Sequence, residues 1–333
     1  MWRLSLLPLL TCAALGVSTP AQAEPMFTGL GDLPGGQSQS LAWGVSGDGS
    51  VVVGVSDSAA ETQAFRWTTE DGMQSLGSLP GGSERSIARG ISGDGSVIVG
   101  ESGSSSGVQA FKWTENAGIL GLGDLSGGSY FSNANGISAD GTVIVGESNS
   151  SSGTEAFRWK MQDGMTGLGM FPGGTFSIAY DASADGSVVV GAGSHDNTGD
   201  AVEAFQWTSA EGLAGLGDLP GGTFSSDARA ISEDGQIIVG NSDSSQGLEA
   251  FMWTQSEGIV GLGDVPGGPF GSQAFDVSLD GSIIVGQGNI STTPGTDTAV
   301  MWIDGIPREV EDYLASDLGL DLAGWELPIG QIG

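Results

Sequence analysis

Six positions spaced about 46 residues apart carry the most chemically varied side chains in an otherwise repetitive chain: Trp43, Arg89, Asn135, Tyr180, Arg229 and Phe275. Each follows an alanine (Ala42, Ala88, Ala134, Ala179, Ala228 and Ala274). Aromatic rings stack on sugars and peptide groups, and guanidinium and amide groups supply forked hydrogen bonds. The set therefore suits recognition of a glycan or a protein segment. It equally suits a channel filled by whatever side chains fit, and the residue types do not separate the two.

Other chemistry is poorly supplied. His195 is the single histidine, in a loop spanning 192–201, so neither a hydrolase triad nor a histidine metal site can be assembled around it. It reads as a solvated loop residue. Six Asp-Gly pairs, beginning at Asp48, Asp94, Asp140, Asp185, Asp234 and Asp280, carry oxygen ligands. They lack the dense spacing of a calcium loop, and a two-residue hairpin needs Asp-Gly anyway. The glycine pairs of the LPGG segments precede no helix and no Lys-Ser or Lys-Thr, which rules out a phosphate loop. Arg66, Lys112 and Arg158 stand between Phe and Trp in three copies and are expected in structural ion pairs. No catalytic residue, metal site or cofactor is assigned.

The elements that position these residues come from the repeat. Leu-Gly recurs at Leu30, Leu76, Leu122, Leu168, Leu216 and Leu262; tryptophan recurs at Trp67, Trp113, Trp159, Trp207, Trp253 and Trp302. With the Asp-Gly pairs, three markers keep register over six copies. One copy predicts four strands: Ala88 to Ser92, Val97 to Val99, Ala110 to Trp113 and Ile119 to Leu122. Val97-Ile98-Val99 is apolar at consecutive positions, so its sheet is buried on both faces. Four short strands per repeat with two apolar faces is the pattern of a β-propeller blade. The expected fold is all-β: about six four-stranded blades, with or without an incomplete seventh. The repeat pattern breaks off after 304. Val310, Tyr313 and Leu314 then have the spacing of a short C-terminal helix, and Trp325-Glu326-Leu327 has the look of a further strand. Met26 to Leu30 matches the fourth strand of a blade, so the N-terminus is expected to help close the ring, by an extra strand on six blades or as part of a gapped seventh. First strands of blades line the central channel, which would bring the six variable residues together. The loops between second and third strands, and the links between blades, share one face. That face would carry Tyr130, Phe131, Phe176, Phe224 and Phe270 as exposed aromatics.

The recurring LPGG, SxDG, VVVG and AFxW elements resemble the HAF repeats of bacterial extracellular proteins, over residues 29 to about 303. The resemblance implies an extracellular propeller-like repeat protein and brings no reaction with it. Gln63-Ala64-Phe65 and Glu155-Ala156-Phe157 stand where the family often has His-Ala-Phe, so the naming histidine is missing.

The ends and the composition set the compartment. Met1-Trp2-Arg3, an apolar run from Leu4 to about Val17, and Ala21-Gln22-Ala23 have the layout of a secretory signal peptide over 1–23, leaving 24–333 as one repeat domain. The run is too short for a spanning helix and Pro8 interrupts it. Cys12 is the only cysteine, so a mature chain starting at Glu24 has no thiol chemistry. Nine Lys plus Arg against 40 Asp plus Glu give a net charge of −31. Such a surface repels nucleic acid and anionic membranes and attracts cations.

The sequence thus points to a secreted propeller that binds a ligand. Two alternatives stay open: a propeller-type polysaccharide hydrolase or lyase, and a structural surface fragment with no ligand. Self-association through an open blade edge is a further expectation. Expressed in a Gram-negative host, the chain should be exported and begin at Glu24. N-terminal sequencing that returns Met1 from the cytoplasm would refute this.

Overall fold

The computed structural model describes residues 29–195, 201–290 and 297–322. The signal sequence and the strand expected at Trp325 lie outside them. In blade one, β1 (Gly35–Val45), β2 (Val51–Ser58), β3 (Thr62–Thr68) and β4 (Gly72–Ser75) form an antiparallel sheet in sequence order. Five further four-stranded blades follow, over 86–121, 127–167, 177–217, 221–261 and 272–309. A short helix, Val310–Asp312, continues into a π-helical turn, Tyr313–Asp317. No helix among the described residues is long and apolar enough to cross a membrane.

The strands of blade two run Ser86–Ile91, Val97–Ser104, Gly107–Thr114 and Gly118–Gly121. Two turns differ from expectation in an instructive way. The tight two-residue turn is Ser105-Ser106, between strands two and three. Asp94-Gly95 lies instead in a five-residue loop, 92–96, closed by the Ser92 N–H to the Val97 carbonyl at 2.9 Å. Asp94 organises that loop. Its carboxylate accepts from the Ser92 hydroxyl at 2.6 Å and the Ser96 N–H at 2.9 Å. Gly95 has φ +71°, a conformation costly for other residues. These hydrogen bonds, the Ser50 hydroxyl foremost, hold the equivalent Asp48 carboxyl down to about 2.

Blades pack face to face. Phe65, Phe111, Phe157, Phe205 and Phe251 are fully buried, whereas Trp113 and most of its counterparts are half-buried at the cluster edges. Trp302 is the exception, fully buried with its indole N–H on the Leu262 carbonyl at 3.1 Å. The bases between Phe and Trp do not all form ion pairs. Arg66 reaches Asp71 at 3.6 Å, but Lys112 and Arg158 lie over Trp159 and Trp207 of the following blade, at 5.9 and 5.1 Å. A half-buried indole face offers a cation a partner without full desolvation.

One polar device recurs at every junction. The Ser86 hydroxyl, on the first strand of blade two, accepts the Ala64 N–H of blade one at 3.0 Å and donates to the Gly77 carbonyl of the link at 2.6 Å. Ser132, Ser177, Ser226 and Ser272 do the same for the next four junctions. The first strand of each blade packs on the three inner strands of the blade before it, through all five junctions. The strands over 272–309 do not pack in this way on blade one.

Phe111→Ala should cost about 3–5 kcal/mol, the range for burying and then deleting a large aromatic. Trp113→Ala should cost clearly less, because the indole is already partly in water. Urea denaturation of the two variants checks the order.

Candidate functional site

The first strand of every blade carries a β-bulge. Pairing skips one residue between Ala42 and Gly44, Ala88 and Gly90, Ala134 and Gly136, Ala179 and Asp181, Ala228 and Ala230, and Ala274 and Asp276. The skipped residues are Trp43, Arg89, Asn135, Tyr180, Arg229 and Phe275. A bulge re-aims its extra side chain out of the ladder. The same distortion brings the Ile87 carbonyl within 1.9 Å of where a Cβ on Gly100 would stand, which explains the glycine of the VVVG element.

Five of these residues make contacts between neighbouring blades. The Arg89 guanidinium lies 4.7 Å above the Trp43 ring, and that of Arg229 4.8 Å above the Tyr180 ring. Asn135 donates to the Ala179 carbonyl at 2.9 Å and accepts from the Asn133 amide at 3.1 Å. No polar partner of Phe275 is found among the described residues.

Carboxylates that the variable positions do not reveal complete the cluster. Glu101 accepts from Arg85 at 2.9 Å and lies 3.9 Å from Arg89. Burial pushes the Glu147 carboxyl up, against the pull of Asn133 and Arg89. Burial likewise lowers the Arg89 pKa despite Glu101 and Glu147. Asp227 pairs with Arg229 and accepts from Asn241 at 3.2 Å. Burial acts against the Arg229 charge, but Asp227 and Tyr180 hold its pKa above the usual value. Two signals in the sequence mark this second set: it stands two residues before the variable position or directly after the VVVG glycine, hence on one face of the sheet. Among the described residues two buried atoms here have no hydrogen-bond partner, Arg89 Nε and Asn133 Oδ1.

Asp181 is a further buried acid. It accepts the Ala182 N–H at 2.8 Å and the Ile231 N–H of the next blade at 3.0 Å. Burial, reinforced by Asp276, pushes its carboxyl up to about 7.

His195 is not a solvated loop residue. Its ring stacks on Phe171 at 4.1 Å, meets Phe224 edge-on at 5.8 Å and pairs with Glu203. Glu203 also accepts the Gly217 N–H at 2.9 Å, as Glu155 accepts that of Gly169 at 3.0 Å. The expected aromatic face is largely covered. Phe224 is exposed, but Tyr130, Phe131, Phe176 and Phe270 are half-buried, and the backbones at Tyr130 and Phe270 crowd Gly107 and Gly247 of the preceding blade's turn. A separate surface cleft of about 360 Å³ lies at the Asp-Gly end between blades one and two, lined by Arg66, Ser96, Trp113 and Glu115 among others. None of the six bulge residues lines it.

This architecture is that of a β-propeller. An oligogalacturonate lyase solved with manganese superposes with TM-score 0.52 at 13% identity, over 80% of this chain and 75% of its own. A prolyl endopeptidase gives TM-score 0.53 at 12% identity, over 81% of this chain and 42% of its own. TolB from Acinetobacter baumannii gives TM-score 0.48 at 15% identity, over 66% of this chain; the chain spans 53% of that protein. At such identities the likeness concerns the fold. No family model matches the sequence, and no curated relative does.

The raised Asp181 carboxyl has a pH consequence. The fold keeps the proton to about pH 7, whereas an unfolded chain releases it near 3.8. The folded state therefore binds more protons between these values, and stability falls as pH rises through about 4 to 7. Melting temperatures across that window should decline more steeply for the parent than for Asp181→Asn. Parallel curves would contradict the assignment.

Proposed function

We propose that this chain is a secreted HAF-type propeller that serves as a recognition module, with its ligand held at the bulge residues on blades one to five. The observation that carries this reading is the half-buried Trp43 ring beneath the Arg89 guanidinium, whose Nε has no hydrogen-bond partner among the described residues. Buried polar groups are ordinarily satisfied, so the unpaired Arg89 Nε is a donor that a polar group could take up after a small shift of the side chains over it. The charges favour a neutral ligand. Arg89 and Arg229 already face Glu101, Glu147 and Asp227, and the whole chain is strongly acidic. An uncharged glycan supplies both hydroxyl donors and acceptors and an apolar face for Trp43.

An array of neutral glycans should identify binders. Trp43→Ala should weaken the best of them at least about tenfold while shifting the melting temperature little, because the ring is already half in water. Arg89→Ala and Arg229→Ala are poorer probes, since each strips a carboxylate of its partner and lowers stability as well. No binding, or binding indifferent to Trp43, would return these residues to a packing role. A reducing-sugar assay on the same glycans separates binding from hydrolysis or lyase chemistry.

A further inference from the structure

Blades one and six leave bare the two faces that every internal junction buries. Val53, Val99, Val145, Val190 and Val239 are 0% exposed, each covered by the following blade; their counterpart in blade six, Val285, is 39% exposed, and Ile283 beside it 36%. On the other side, Ala88, Ala134, Ala179, Ala228 and Ala274 are 0% exposed against the preceding blade, whereas Ala42 is exposed, with Leu41 at 42% and Val45 at 57%. The two bare faces are of opposite kinds, one that follows a blade and one that precedes a blade. Residues 31–40 already hold the shape of a blade junction. The Ser40 hydroxyl donates to the Gly31 carbonyl at 2.9 Å, as Ser86 does to Gly77. What Ser40 lacks, among the described residues, is the third-strand alanine N–H that each of its five counterparts accepts. Leu76, Leu122, Leu168 and Leu262 each donate to such an alanine carbonyl; among the described residues no third strand offers one to Leu30.

We propose that the space between blades six and one is a docking site for a seventh blade: a three-stranded segment of this same repeat, seated on the junction that residues 30–40 form. The ligand is specified by the junction chemistry. Its third strand must present an alanine N–H to Ser40 and an alanine carbonyl to Leu30, its second-strand apolar residues must cover Val45, and its first strand must cover Val285 and Ile283. A generic hydrophobic peptide meets the apolar requirement alone.

The test appends residues 86–114, the first three strands of blade two, after Gly333 of the full chain through a flexible linker, and also supplies the same segment as a free peptide. The appended chain should remain monomeric in analytical ultracentrifugation and melt at least about 5 °C above the parent. Val45→Lys or Val285→Lys, at positions already open to water, should change the parent's melting temperature by no more than about 2 °C and abolish the gain. The free peptide should bind with 1:1 stoichiometry and the same sensitivity. A gain that survives both substitutions, or no gain in the appended chain, would overturn the proposal. A concentration-dependent dimer of the parent that Val45→Lys dissolves and the appended strands do not displace would make a second copy the occupant and overturn it equally.

Discussion

A sheet with two apolar faces cannot stand alone in water, and everything in this molecule follows from that. The strand Val97-Ile98-Val99 buries alternate side chains against different neighbours, so no blade has an independent core. Phe111 belongs to the cluster of blade one as much as to its own. At each contact one serine hydroxyl joins the third strand of one blade to the link and first strand of the next. A hydroxyl can donate and accept at once, so a single small side chain satisfies two backbone groups that the junction would otherwise strand. This fixes the distance and register of the blades, and the serine is repeated with them.

Because the junction serines and buried apolar side chains are fixed by their contacts, variation falls on residues that the strand ladder does not use. The bulge in each first strand supplies such a residue. It is left out of the ladder and so can be Trp, Arg, Asn, Tyr or Phe without disturbing the pairing. The bulges also set neighbouring blades' side chains on one another, which is why arginine from one blade lies on an aromatic ring of the blade before. The cluster is internally neutralised, with carboxylates from first and second strands answering each arginine. That arrangement disfavours charged ligands and leaves shape, ring faces and hydrogen bonds as the means of selection. HAF-type sequence, with an extracellular setting and a glycan as ligand, is consistent with this balance and remains our proposal.

His195 illustrates how tertiary context alters a residue's meaning. In the sequence it is one imidazole in a long loop. In the fold it is clasped between Phe171 and Phe224 and held by Glu203, whose other oxygen secures the Gly217 backbone. The histidine thereby adds an aromatic clasp to the carboxylate–backbone contact that Glu155 and Glu249 make alone.

The repeat, the four strands per copy, the doubly buried second strand and the short helix after 309 were all legible in the residues, because strand periodicity and turn chemistry are local. The six candidate positions were also legible, as variation against a constant background. Three things were not. The Asp-Gly loop is wider than a two-residue turn because the aspartate's own hydrogen bonds to Ser92 and Ser96 outcompete the tighter geometry. The bulge that gives the candidates their direction depends on pairing between strands and leaves no mark in a single strand's pattern. Glu147 and Asp181 find partners across blade junctions, 58 residues away in sequence for Glu147 with Arg89 and 50 for Asp181 with Ile231, while Glu101 meets Arg89 only through the strand pairing of their own blade. Sequence fixes what each residue can bond, but only the closing of one blade on the next decides with what.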